Sequence, residues 1–261
     1  MSHEPSAPAD LERLERELAI ARATIEALRQ EQAVFAHGIS HDLRAPLRSI
    51  DSFLALLERQ DGLDATARGY LERIRNASGR AGSLIEALLD LSRANRAELA
   101  PCAVDLSLLA EWSLAELGEA DAGLVADVEV APGLLAWGDE RLLKQLLGAL
   151  LHNAWKFSRP TGGVWIRVAG ERVGDRLHVA VQDRGVGFDM RYAAKLFTPF
   201  QRLHGPDQGG GHGIGLALAQ RIAERHTGHL RADSQPGAGS TFHLDLPAAP
   251  VAAADPEAPR P

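Results

Sequence analysis

From Leu11 onward the apolar residues keep a spacing that alternates three and four: Leu11, Leu14, Leu18, Ala21, Ile25 and Leu28, then Phe35 and Ile39 after the polar Gln32. This is the heptad of a coiled coil, with Glu and Arg filling the positions between. The pattern continues through His41 to about Arg59. Gln60-Asp61-Gly62-Leu63-Asp64 reads as a turn, with Asp64 placed to cap a second helix. That helix is predicted from Ala65 to Asn95, with the seam Ala67, Leu71, Ile74, Ser78, Ala81, Ile85 and Leu88. Two long helices joined by a short turn fold back as an antiparallel hairpin. One hairpin presents a wide apolar face and has too little mass to bury it. The pattern therefore predicts two hairpins in a four-helix bundle, that is, a homodimer.

Pro101 ends this pattern and opens a region in which short strand-like runs alternate with helices. Helices are expected over Leu106–Leu117, Glu140–Phe157 and Gly213–His226, and strands over Leu124–Val130, Val164–Val168, Leu177–Gln182, His229–Asp233 and Thr241–Leu246. Phe188 to Gly213 is rich in glycine and poor in periodic apolar positions. A loop of that length inside a folded domain is usually a lid or binding loop. The fold class is thus multidomain α+β: a helical hairpin followed by an α/β sandwich with a lid. Residues 1–10 and 248–261, rich in Pro, Ala and acid, are expected to be disordered. Between them the expected divisions are a coiled-coil helix at 11–34, the hairpin at 35–96, a linker at 97–101 and the second domain at 102–247.

The net charge of −7 argues against a nucleic-acid backbone as the main partner. A single cysteine, Cys102, excludes an intrachain disulfide and any zinc site of the usual cysteine spacing. No apolar run approaches the length of a membrane span, and the first residues have no signal-peptide core, which suggests a cytoplasmic protein.

Four segments carry possible chemistry. Ser40-His41-Asp42-Leu43-Arg44-Ala45-Pro46-Leu47 lies inside the first helix. A lone helical His is ordinarily surface. A proline inside a helix, however, costs about 3 kcal/mol and frees the carbonyl four residues back, here that of Asp42. Good heptads on both sides have no structural need for that defect, so the bend points to a His that must be presented. Imidazole is a competent nucleophile at neutral pH, and Asp42 could orient it or take its proton. Adjacent helical residues do not face each other, so Asp42 would have to lean back to do so. His152-Asn153-Ala154-Trp155-Lys156-Phe157 offers an amide oxygen for Mg and an ammonium for phosphate, although an Asn and a Lys on one helix are more often surface. Asp183-Arg184-Gly185-Val186-Gly187-Phe188 follows a strand; it suits either a β-turn or the close approach of a flat ligand, with Asp183 accepting from an exocyclic amine. Gly209-Gly210-Gly211-His212-Gly213-Ile214-Gly215-Leu216 leads into a helix whose N-terminus could hold an anion. It lacks the Gly-Lys-Ser/Thr ending of a P-loop and does not follow a strand in a βαβ unit; a flexible linker is the other reading.

In this order the segments resemble the histidine kinases of two-component signalling, over about residues 35 to 247. The first looks like the phospho-acceptor box of the phytochrome-like and PAS-linked subfamily. Asn153 to Phe157 resembles the asparagine box, and Asp183 to Phe188 the first glycine box. Leu196-Phe197-Thr198-Pro199-Phe200 resembles the phenylalanine box, Gly211 to Leu216 the second glycine box, and Gly239-Ser240-Thr241-Phe242 the closing turn and strand. The resemblance implies a dimerisation and phosphotransfer hairpin followed by a Bergerat-type ATP-binding domain. It implies autophosphorylation of His41 from Mg-ATP with Asp42 assisting, then transfer to an Asp of a response-regulator receiver domain. Asn153 would hold Mg and Lys156 would contact phosphate. Asp183 would bind the adenine amine, with Gly187 making room for the base and Thr241 nearby. Gly213 and Gly215 would face the phosphates, and Gly185, Gly211 and Leu216 would complete the nucleotide site. Phe197 and Phe200 would anchor the lid. A flexible joint near Ala100-Pro101 would let the ATP site and His41 meet, and the coiled coil looks like a segment that carries a signal from an upstream sensor protein.

Two positions depart from the family pattern. Ala149 stands where a second Asn is common, which puts the strength of Mg-ATP binding in doubt. Ala45 stands where many relatives carry Thr or Asn, which implies weak or absent phosphatase activity toward the receiver. Three rival readings stand beside this one: a phosphotransfer scaffold with an inactive ATP domain, a Bergerat-fold ATPase or protein serine kinase, and a plain coiled-coil dimer with an α/β binding module.

Overall fold

The computed structural model describes residues 7–60, 62–121, 123–203 and 211–250, without the side chains of residues 7–10, 25, 26, 28, 29, 31–37, 39 and 41. The chain divides into two compact units, Met1–Arg96 and Ala97–Pro261.

The first unit consists of α1 (Ala7–Glu58) and α2 (Ala65–Arg96). α1 begins inside the stretch expected to be disordered and remains one helix through Pro46. Asp64 caps α2 as expected, its Oδ1 accepting from the Ala67 N–H at 2.6 Å. The register of the hairpin can be read from its polar pairs. Arg44 bonds Glu86 at 2.8 Å, Ser78 Oγ donates to Asp51 Oδ1 at 2.7 Å, and Arg75 pairs with Glu58. As the α1 residue number rises the α2 partner falls, so the helices run antiparallel. Leu54, Leu71, Ile85 and Leu89 are buried. The seam expected on α2 is shifted: Leu89 is 2% exposed, Leu88 is half-buried and Ile74 is 47% exposed. Ile74 instead joins Tyr70 on α2, and Leu43, Ile50, Phe53 and Leu57 on α1, among the large apolar residues left exposed.

The second unit is built on a five-stranded sheet of order β2-β4-β5-β7-β6, in which only the β2–β4 pair is parallel. The strands are β2 (Ala126–Val130), β4 (Val164–Val173), β5 (Arg176–Asp183), β6 (His229–Gln235) and β7 (Gly239–Pro247). The helices α3 (Leu106–Ala120), α4 (Glu140–Ser158) and α6 (Gly215–Arg225) cover one face, and a single-turn α5 (Ala193–Leu196) lies in the glycine-rich segment. Alternation along β5 buries Leu177, Val179, Val181 and Asp183 under the helices. The core is centred on α4, where Leu142, Leu143, Leu146, Leu147, Leu150, Leu151, Ala154 and Trp155 are all buried. Trp155 satisfies its indole N–H with Asp121 Oδ2 at 2.8 Å.

Two features were not foreseen. A two-stranded ladder pairs β1 (Cys102–Asp105) with β3 (Leu135–Gly138). The chain also stays ordered past 247: Ala248 bridges to Ala136, and the Ala249 N–H donates to the Leu135 carbonyl at 3.0 Å. The expected flexible joint is tied down as well, since the Ala100 N–H donates to Asp139 Oδ2 at 3.2 Å and Arg225 donates to the Ala97 carbonyl.

Leu150 is 0% exposed at the centre of this core. Truncating Leu150→Ala should lower unfolding free energy by about 3 kcal/mol, read as a shift in the denaturant midpoint of the second unit's transition.

Candidate functional site

A cavity of about 310 Å³ lies between the late half of α4 and the start of α6 in the second unit. The late half of α4 supplies Ala149, His152, Asn153 and Lys156, the loop before α6 supplies Gly211, His212 and Gly213, and the start of α6 supplies Gly215 and Leu216. Gly187, Leu196, Gln201, Arg202 and Ser240 complete the wall that matters chemically. Asn153, Lys156, Gly187, Gly211, Gly213, Gly215 and Leu216 thus converge as expected. Gly209 and Gly210 lie outside the described residues.

Two glycines are required by geometry. Gly187 has φ of 61°, and a Cβ there would collide with the Gln235 carbonyl; Gly213 has φ of 68°, and a Cβ there would collide with the Gln201 carbonyl. The second contact brings the lid segment onto the loop before α6. Among the described residues no side chain caps α6 at Ile214, and Gly215 and Leu216 of its first turn line the cavity. Lys156 reaches the same end: a Cβ on Gly211 would lie 2.9 Å from its Nζ. Burial, and then the positive Arg202 across the cavity, push the Lys156 ammonium below the ordinary lysine range. His152 is lowered too, by desolvation first and Lys156 second, with Asp121 opposing. Two cations and an open helix terminus in one recess form a site for a multiply charged anion.

Asp183 lies at the end of β5, 3% exposed. Its Oδ1 accepts from the Gly185 N–H at 2.8 Å and the Ser240 N–H at 3.2 Å. Burial outweighs both bonds and raises its pKa to about 6. Oδ2 has capacity left for a further donor. Gly185 does not line the cavity; it lets the backbone close on the end of α4, since a Cβ would meet the Phe157 carbonyl.

Two expectations need correction. Thr241 pairs with Gln182, one step along β7 from the Asp183–Ser240 pair, so strand alternation turns it to the far face of the sheet. Ser240 takes the place next to Asp183. Phe200 is 55% exposed and does not anchor the lid with its ring. It acts through its backbone, at φ 66° with its N–H donating to the Gly213 carbonyl at 2.9 Å. Phe197 is half-buried outside the cavity wall, where Leu196 stands instead. Sequence reasoning assigned no role to Arg202, His152, His212 or Gln201; each sits within a residue or two of a recognised box, which was the signal available. In the first unit, Asp42 is exposed on α1; His41 lies in the same helix, with its side chain outside the described residues.

The cavity brings together a carboxamide on Asn153 and cations near a helix N-terminus, and the buried carboxylate of Asp183 lies next to it, paired across the sheet with the lining residue Ser240. Comparison with known proteins agrees. Residues 138–250 match the family described as histidine kinase-, DNA gyrase B- and HSP90-like ATPase, and residues 31–97 match the His Kinase A (phospho-acceptor) domain. The chain is 30% identical over 233 residues to the phytochrome-like protein Cph1 of Synechocystis sp., covering 88% of this chain and 31% of that protein. It is 35% identical to the circadian input-output histidine kinase CikA of Synechococcus elongatus, covering 89% and 32%. To the sensor-like histidine kinase SenX3 of Mycobacterium tuberculosis it is 34% identical, covering 91% and 58%. The chain therefore spans less than two thirds of the length of these relatives. Among solved structures, full-length ShkA in complex with AMPPNP superposes with a TM-score of 0.64 at 28% identity, covering 84% of this chain and 46% of that one. With a phospho-acceptor domain followed by an ATPase domain of this type, the chain belongs to the histidine kinase family.

Proposed function

We propose that the chain binds Mg-ATP in the cavity, transfers the γ-phosphoryl group to His41 and passes it to an Asp of a response-regulator receiver domain. The observation that carries this reading is the recess in which Lys156 and Arg202 face the uncapped N-terminus of α6, on a chain whose other unit matches a phospho-acceptor domain. The ShkA structure holds an ATP analogue, which supports placing ATP here.

The roles follow from chemistry. Oδ2 of Asp183 accepts from the exocyclic amine of adenine, and Gly187 leaves room for the ring. Lys156, Arg202 and the N–H groups of α6 spread the phosphate charge. The carboxamide oxygen of Asn153 would hold Mg, which when bound neutralises charge on the phosphates. An imidazole nitrogen of His41 attacks the γ-phosphorus, the bond to the bridging oxygen breaks, ADP leaves, and the ring proton passes to Asp42 or water. Positioning does most of the work in such a transfer. The open apolar residues Leu43, Ile50, Phe53, Leu57, Tyr70 and Ile74 support a homodimer through the hairpin. Residues 35–96 serve as the dimerisation and phosphotransfer hairpin and 102–247 as the catalytic domain, with 11–34 a coiled coil open to an upstream sensor protein. Among the described residues no helix is long and apolar enough to cross a membrane; with ATP as donor, the proposed location is the cytoplasm.

Incubation with Mg and γ-labelled ATP should give acid-labile, base-stable label on the wild type and none on His41→Gln. Equal label on both would remove His41 as acceptor and favour a serine kinase. Nucleotide affinity should fall as the pH drops below about 6, approaching about tenfold per unit, because the carboxylate must be ionised to accept from adenine; Asp183→Asn should abolish that dependence and bind ATP more than about tenfold more weakly.

Without nucleotide the same group acts in the opposite direction. Its folded pKa lies above the ordinary 3.8, so the fold favours the protonated form, and this contribution is lost as the pH rises through about 6. Asp183→Asn should therefore melt above the wild type at pH 7–8 while binding nucleotide worse, a crossover visible by calorimetry with and without ATP.

A further inference from the structure

α4 runs toward the cavity and α6 runs away from it. Asn153 and Lys156 lie late in α4, and Gly215 and Leu216 open α6. The other ends of the two helices meet at a buried polar node. Asp139, 6% exposed, caps α4 with Oδ1 accepting from the Leu142 N–H at 3.0 Å. Its own N–H donates to Nε2 of His226, just past the end of α6, at 3.0 Å. That ring is 5% exposed; with Nε2 accepting, Nδ1 carries the proton and donates to the Ile222 carbonyl at 2.8 Å. Gly138 is needed beside it, because a Cβ there would lie 2.5 Å from the ring. The second carboxylate oxygen of Asp139 is not spent on either helix. It accepts from the Ala100 N–H at 3.2 Å, while Arg225, in the last turn of α6, donates to the Ala97 carbonyl.

We infer that Asp139 and Arg225 are positioning residues that anchor linker residues 97–100 to the α4–α6 pair, so that the linker moves with the ATP cavity as one body. This rests on the reading of that cavity as the ATP site. α4 is a rigid rod roughly 20 Å long between the node and Asn153, at about 1.5 Å per residue, and α6 is packed along it. A linker fixed to one end of this pair holds a set distance from the nucleotide at the other. Turning between the two units is then taken up at the end of α2, where Arg96 meets Ala97, rather than at Ala100-Pro101. The anchor acts on the encounter of His41 with bound ATP and leaves the binding of ATP alone.

Asp139→Asn separates the two duties of the carboxylate. The amide keeps an oxygen for Leu142 and replaces the acceptor of Ala100 with a donor. Arg225→Met keeps the stem length, leaves the α4 cap intact and removes the donor to Ala97. In the full chain, hydrogen exchange of the Ala100 amide should quicken by about tenfold or more in Asp139→Asn, and amides of the 97–100 segment should also quicken in Arg225→Met. Affinity for a fluorescent ATP analogue should stay within about twofold of wild type. The rate of label transfer to His41 at saturating ATP should fall several-fold with KM for ATP unchanged. If Asp139→Asn does not fold, Arg225→Met decides alone. Unchanged exchange in both folded variants would overturn the anchor. Faster exchange with an unchanged transfer rate would overturn its positioning role, as would a loss confined to ATP affinity. A wild type that takes no label would strike the functional reading instead, and exchange would still decide the anchor.

Discussion

Burial of one broad leucine face of α4 is the constraint on which the second unit depends. Leu142, Leu143, Leu146, Leu147, Leu150 and Leu151 each retain 1% exposure or less. Such a helix cannot shift along its axis without opening several voids at once, and interiors packed to crystal-like density resist that strongly. Asn153 and Lys156 project from this fixed rod. The sheet supplies the counterpart: β5 and β7 are paired from Arg176↔Pro247 to Asp183↔Ser240, which sets Asp183 at the strand end beside the same cavity. The lysine and amide of α4 and the carboxylate of β5 come from different layers, and their spacing is set by helix-on-sheet packing.

The cavity is electrostatically uncomfortable without a ligand. Lys156 is lowered by burial and by Arg202, and Asp183 is raised by burial to about 6. Each shift means that the fold holds the charged form at a cost. Such costs persist where function needs groups fixed in place before the ligand arrives. A polyphosphate between Lys156 and Arg202 turns their mutual repulsion into two attractions, and an amine at Asp183 supplies the donor that its second oxygen lacks. Phe200 adds a local cost of the same kind, since a non-glycine residue at positive φ is held there by its bond to Gly213.

Most of the architecture was legible in the sequence because it rests on long periodic signals. The hairpin follows from three–four spacing, and each long strand and helix of the second unit falls within a few residues of its expected bounds. β1 and β3 escaped because each has only four residues and is held by pairing distant in sequence. Choosing Leu88 over Leu89 missed by one residue, because a helix that faces both its hairpin partner and an open side has no single seam. The site was legible as a set of boxes, but not at the level of facing. Thr241 and Ser240 are neighbours, and only the register with β5 says which of them turns toward Asp183. Phe200 looked like an aromatic anchor, yet its part is played by the backbone, which composition does not reveal. Arg202 and His212 belong to a segment without periodicity, so nothing in spacing could aim them at the cavity.

In the first unit, polar and apolar contacts do different jobs. Arg44–Glu86, Asp51–Ser78 and Glu58–Arg75 are spaced along the hairpin and all agree on one register. The two ion pairs among them contribute roughly 0–1 kcal/mol each, and the third contact is a single hydrogen bond, so together they select a register more than they hold the helices together. Cohesion has to come from apolar burial, and a hairpin with Phe53, Tyr70 and Ile74 open has not completed it. The same division appears at the Asp139 node, where hydrogen bonds fix which segment lies where while the leucines of α4 supply the stability around them. In both units the polar contacts specify alignment: the height of His41 along α2 in one, the place of the linker relative to the cavity in the other. A transfer that depends on bringing one nitrogen in line with one phosphorus requires both alignments to be set before the two meet.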